Sequence, residues 1–179
     1  MGTFRIAFLG DIFGAPGRRV VEQQLPRLRE EHEPSLIVAN AENAARGSGL
    51  SPDLYRRFRG LGIDGVTLGD HVFRDQRIAA VLDDGAEPIA RPANLPAAAA
   101  GRGYVRLRRP DARDLVVITV LGRVFVNLKA DDPFAAVDRV LEELGEPAPI
   151  VIVEAHMEAT SEKAAIAHHL DGRVAAVLG

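Results

Sequence analysis

The sequence predicts an α/β fold in which parallel strands are joined by crossover helices. Three observations carry this. Apolar runs of strand length occur at Phe4–Leu9, Leu36–Ala39, Gly65–Leu68 and Ile150–Val153. The first three are spaced about one strand-helix-strand unit apart, as parallel pairing requires. Each run ends on residues of the kind that bind divalent metals: Gly10-Asp11, Asn40-Ala41-Glu42-Asn43, Gly69-Asp70-His71 and Glu154-Ala155-His156. Ligands of open α/β sheets bind at the carboxyl ends of the strands. Asp11, Glu42, Asn43, Asp70 and His156 are therefore expected along one edge of one sheet.

The elements follow in order. Strand Phe4–Leu9 leads into a Gly/Pro loop, Gly10 to Gly17, and then a helix from about Arg18 to Glu31 with Val20, Val21, Leu25 and Leu28 at helical spacing. Pro26 inside it is expected to kink or split it. After strand Leu36–Ala39 comes a glycine-containing loop, Ala45 to Gly49, and a helix opened by Ser51 as cap and Pro52 in the first turn. Strand Gly65–Leu68 precedes a helix near Asp75–Asp83. Pro88–Ala93 predicts a short strand ending at Asn94, and Ala97–Ala100 a loop. Tyr104–Arg108 and Leu115–Val120, around a turn at Arg109–Arg113, predict an antiparallel hairpin. Asp132-Pro133 opens a helix to about Leu144. Strand Ile150–Val153, a helix near Ser161–His169 and a last strand Val174–Leu178 complete the order.

A length of 179 residues suits one domain, 1–179, with a substantial core. No repeat or linker interrupts it. Apolar residues make up 47% and charged residues 26%, a soluble globular balance. A net charge of -3 argues against nucleic acid as the main partner. The absence of cysteine leaves only oxygen and imidazole to hold a metal. No apolar run reaches the roughly 18 residues of a membrane span, and no signal core is evident, so a cytoplasmic location is expected.

Every candidate residue has an ordinary alternative. Asp11 fits a helix cap in a glycine-rich turn; Gly10-Asp11-Ile12-Phe13-Gly14 matches neither a dinucleotide fingerprint nor a phosphate loop. Glu42 and Asn43 fit a polar loop with an Asx turn. His71 reads as a surface or packed histidine, or as a general acid beside Asp70. His156 reads as a core histidine paired with Glu154 or Glu158. His168 and His169 are read as structural, and His32 as solvated. What favours a metal site is that all four clusters fall at strand ends and none at strand starts.

Together, Gly10-Asp11, Ala41-Glu42-Asn43-Ala44, Gly69-Asp70-His71 and Ala155-His156-Met157-Glu158-Ala159-Thr160-Ser161-Glu162-Lys163 resemble the YmdB-like branch of the calcineurin-type metallophosphoesterases. Arg91-Pro92-Ala93-Asn94-Leu95-Pro96, Asp131-Asp132-Pro133-Phe134 and Asp171-Gly172-Arg173 extend the match along the chain. The resemblance implies a β-sandwich flanked by helices (α/β/β/α) and a phosphodiesterase site with two divalent ions, Fe, Mn or Zn, acting on substrates such as cyclic nucleotides. By it, Asp11 binds one ion, Glu42 bridges two, Asn43 completes the first, and Asp70 and His156 belong to the second. His71 is then the acid for the leaving group.

Two departures stand out. The family carries Asn where this chain has Asp70, which adds a negative charge. The family's last strand leads to Gly-Thr-His-Thr-His, whereas the sequence here ends on Gly179, so an incomplete C-terminus or a shortened homologue is expected. Apolar surface left uncovered in that case would favour homo-oligomers. Two other function classes compete: a metal- or nucleotide-binding module without turnover, retaining few ions after desalting, and a nicotinamide or flavin protein indifferent to chelators.

Overall fold

The computed structural model describes residues 4–109 and 112–179. Among the described residues, eight strands form two four-stranded sheets. The first sheet holds β1 (Ile6–Leu9), β2 (Leu36–Asn40), β3 (Gly65–Thr67) and β4 (Ile89–Ala90), in that order and all parallel. Its crossovers carry α1 (Gly14–His32), α2 (Pro52–Gly60) and α3 (Ile78–Leu82). The second sheet holds β5 (Tyr104–Leu107), β6 (Leu115–Leu121), β7 (Ile150–His156) and β8 (Ala176–Leu178). Here β5 runs antiparallel to β6 and the other pairs are parallel, with α4 (Pro133–Glu143) and α5 (Thr160–His169) as the crossovers.

Strand side chains alternate between faces, and the buried clusters follow that alternation. Ile37 and Ala39 of β2 pack with Leu25, Tyr55 and Phe58 of the helices, whereas Val38 between them packs with Leu115, Val117 and Ile152 of the second sheet. On β6, Val116, Ile118 and Val120 turn the other way, onto Val137, Val140 and Ile166 of α4 and α5. Three apolar layers thus separate helices, sheet, sheet and helices, which is the α/β/β/α sandwich that the resemblance implies. Among the described residues no helix is long and apolar enough to cross a membrane.

The ends of several elements differ from the sequence reading. Helix α1 begins at Gly14, because Pro16 is tolerated in a first turn. It also runs unbroken through Pro26, which is exposed, where water can replace the missing backbone hydrogen bond. Strand β4 shrinks to two residues: Pro92 has no N–H to give, and the chain leaves for the second sheet, where Ala93 N–H donates to Thr119 O at 2.7 Å. Strand β7 runs three residues past Val153, since Glu154, Ala155 and His156 stay in register with Thr119, Val120 and Leu121. The hairpin forms as expected, with residues 110–111 of its turn outside the described residues. Ser51 caps as predicted, its Oγ accepting from Leu54 N–H at 3.2 Å, and at the predicted start of α4 Asp132 Oδ1 accepts from Phe134 N–H at 2.9 Å.

Phe58 is completely buried between α2 and the first sheet. Replacing it with alanine removes a ring and leaves a cavity, so Phe58→Ala is expected to destabilise the fold by about 3–5 kcal/mol. Urea denaturation followed by circular dichroism, with chelator present in both samples, measures this.

Candidate metal centre

Asp11 lies two residues beyond β1, Glu42 and Asn43 follow β2, and Gly69, Asp70 and His71 follow β3. His156 is the last residue of β7. The sequence places Asp11, Glu42, Asn43, Asp70 and His156 on one edge of one sheet, and the structure corrects this: His156 belongs to the second sheet. That sheet packs face to face against the first with its β7 end beside those of β2 and β3. These residues converge because two sheets bring their carboxyl ends together.

Glu42 is the hub. It is 1% exposed. Its Oε1 lies 3.1 Å from His156 Nε2 and 3.5 Å from His71 Nδ1, and its Oε2 accepts the His71 backbone N–H at 2.9 Å. Asp70 Oδ1 stands 3.3 Å from His156 Nε2. The Asn43 amide ties the remaining residues in, donating to Asp11 Oδ2 at 2.7 Å while its Oδ1 lies 2.7 Å from His71 Nδ1. An amide oxygen only accepts, so this contact places a proton on His71 Nδ1. Glu42, Asp70 and His71 offer ligand atoms within 4.8 Å of one another. His71, read from the sequence as an acid, therefore stands as close to the hub as the expected ligands do.

Behind this layer Glu154 is buried inside β7. The sequence reading offered it as a partner for His156, but its oxygens are taken by Asn40 Nδ2 at 2.5 Å and Thr119 Oγ1 at 2.6 Å. Burial pushes the Glu154 carboxyl up, with those hydrogen bonds pulling against it. Burial also pushes Glu42 up, but the His156 hydrogen bond and charge, with help from His71, outweigh it and hold Glu42 low. For His156, burial pushes down, yet the Glu42 hydrogen bond and charge, then Glu154 and Asp70, carry the imidazole up to about 9. The pocket holds positive charge strongly, and its oxygen and imidazole donors suit a hard or borderline divalent ion.

Gly69 makes room for the cluster. A Cβ there would collide with Glu42 Oε2 and His156 Nε2, in the space the donors share. Gly69→Ala is expected to weaken divalent-ion affinity about 10–100-fold, the scale on which misplaced ligands act. Titration with Mn²⁺ measures this, and unchanged circular dichroism confirms that the fold is retained.

The donors open into a cavity of about 540 Å³ lined by Asp11, Asp70, His71 and His156. Phe125 and Lys163 also line it. Lys163 ends the Ala155–Lys163 motif, which assigns it no role. Phe125 carried no sequence signal, since a phenylalanine in a loop between strand and helix matches no motif.

Two sheets packed face to face between helices, with carboxylates, an amide and imidazoles at adjoining strand ends, define the metallophosphoesterase-like class of α/β proteins. The chain belongs to the YmdB-like protein family, whose family model matches residues 7–179. It is 37% identical over 175 residues to a 2′,3′-cyclic-nucleotide 2′-phosphodiesterase of Bacillus subtilis (strain 168), covering 98% of this chain and 65% of that protein. A crystal structure of a hypothetical protein from Thermus thermophilus matches with TM-score 0.89 and 46% identity over 98% of this chain and 67% of that one. A phosphatase from Mycoplasma pneumoniae matches with TM-score 0.87 and 27% identity, over 99% of this chain and 65% of that one. The chain thus spans about two thirds of the length of the relatives it matches.

Proposed function

We propose that the protein is a metal-dependent phosphodiesterase acting on small phosphodiesters of the cyclic-nucleotide kind at a centre of two divalent ions (iron, manganese or zinc). Asp11 and Asn43 would hold one ion, Asp70 and His156 the other, with Glu42 placed to serve both. When bound, the ions would acidify a water at neutral pH and neutralise charge on the phosphoryl oxygens. The remaining work falls to the chain itself. Asn43 fixes the His71 ring through Nδ1, which leaves Nε2 as the nitrogen that delivers a proton to the departing alkoxide. The buried layer of Asn40, Thr119 and Glu154 holds the end of β7, and with it His156, against the first sheet.

The observation that carries this reading is Glu42. A carboxylate so fully buried must be paired or bind a cation, and this one faces imidazoles delivered by both sheets. The name of the Bacillus subtilis relative supports the substrate class. The test is hydrolysis of 2′,3′-cyclic AMP by protein loaded with Mn²⁺, with bound metal counted on the same sample. Chelator-sensitive turnover with two ions per chain is expected. Metal binding without turnover would favour the non-catalytic module, and turnover indifferent to chelation would overturn the metal reading.

A further inference from the structure

The metal centre does not stand alone on its face of the molecule. The cavity over it shares Asp70 and His71 with a smaller neighbouring cavity of about 320 Å³, which also reaches Arg74. Arg74 in turn lines a third, open trough of about 730 Å³ together with Arg18, Arg46 and Arg77. Four arginines line this trough, with Asp75 as the one acidic residue among its lining. In a chain of net charge -3 such a concentration runs against the overall balance.

Two of the four are held by the protein. Arg77 is engaged by Asp75 at 2.7 and 2.9 Å, and Arg18 donates to Ala44 O. Arg46 and Arg74 make no side-chain hydrogen bond or ion pair among the described residues. The backbone of each is nevertheless held. Arg46 sits at a φ of 55°, a left-handed conformation that costs a non-glycine residue energy and persists only where the surroundings impose it. Gly49 of the same loop lies so close to Arg74 that a Cβ would come within 2.9 Å of the Arg74 Cβ. Arg74 N–H closes a turn on His71 O at 3.0 Å, so the two Cα atoms are within about 7 Å of one another.

Guanidinium forks match phosphate in shape and charge. Resting on the phosphodiesterase reading above, we propose that this trough binds a second phosphate of the same substrate, one nucleotide unit away from the phosphate that is cleaved. The substrate class is then a short oligonucleotide ending in a cyclic phosphate, with Arg46 and Arg74 as its specificity-determining residues. A cyclic mononucleotide carries only the scissile phosphate and leaves the trough unused.

The experiment compares kcat/KM for 2′,3′-cyclic AMP and for a dinucleotide ending in the same cyclic phosphate, in the wild-type protein and in the R46A/R74A double variant. The wild type is expected to favour the dinucleotide by about tenfold or more, the worth of one charge-assisted hydrogen bond. That preference shrinks as salt is raised, as phosphate contacts require. In the double variant the ratio of the two constants collapses toward one. Equal turnover of the two compounds by the wild type, or a preference that survives in the variant, would overturn the proposal and leave the phosphodiesterase reading intact. No turnover of either compound would overturn both.

Discussion

Glu42→Gln is expected to lower metal-dependent kcat/KM on a cyclic nucleotide by roughly 10³-fold. The change is nearly isosteric, so the buried position stays filled. What goes is the charge that both proposed ions share and the anion that His156 Nε2 meets at 3.1 Å. Several kcal/mol of transition-state stabilisation rest on such ions, and about 4 kcal/mol corresponds to that rate. The measurement is steady-state kinetics across a Mn²⁺ titration, with bound metal counted at each point. Turnover close to wild type at saturating metal would remove Glu42 from its bridging role.

His71→Gln is expected to lower kcat about 10²–10⁴-fold on substrates with an alkoxide leaving group, the usual worth of a positioned acid. Its signature lies in the leaving group. Bis(p-nitrophenyl) phosphate expels a phenolate that needs no proton, so the same variant should lose far less activity on it. His71 also stands near Glu42 and Asp70, and a ligand at that position makes the opposite prediction. If His71 were a ligand, both substrates would suffer equally and the metal content would fall. Comparing the two substrates at matched metal content separates acid from ligand.

Much of the fold was legible because its information is local. The apolar runs of β2 and β3, the Ser51-Pro52 and Asp132-Pro133 helix starts, and the β5–β6 hairpin each depend on a few consecutive residues and form as expected. What escaped was set by partners distant in sequence. Strand β7 continues to His156 only because β6 is there to pair with it, and β4 stops early because the chain turns to the other sheet. The same limit applies to the centre. Strand ends marked the candidate residues, but assigning them to one edge missed that His156 comes from the second sheet. Glu154 looked like a partner of His156 in sequence, whereas Asn40 and Thr119 claim it in space. Phe125 and the Arg46–Arg74 trough had no pattern to announce them, since cavities are made of surfaces and not of spacings.

The division of the centre between two sheets bears on the order in which the molecule is completed. Asp70 and His156 meet although 86 positions apart in sequence, and Asn40 and Glu154 although 114 apart. Contacts of such separation carry the heaviest loop-closure cost and form late. Each sheet can assemble from its own neighbouring strands, but neither half alone contains the centre. The site is therefore a keystone, set only once both arches stand, and its integrity certifies that the two halves of the chain have docked.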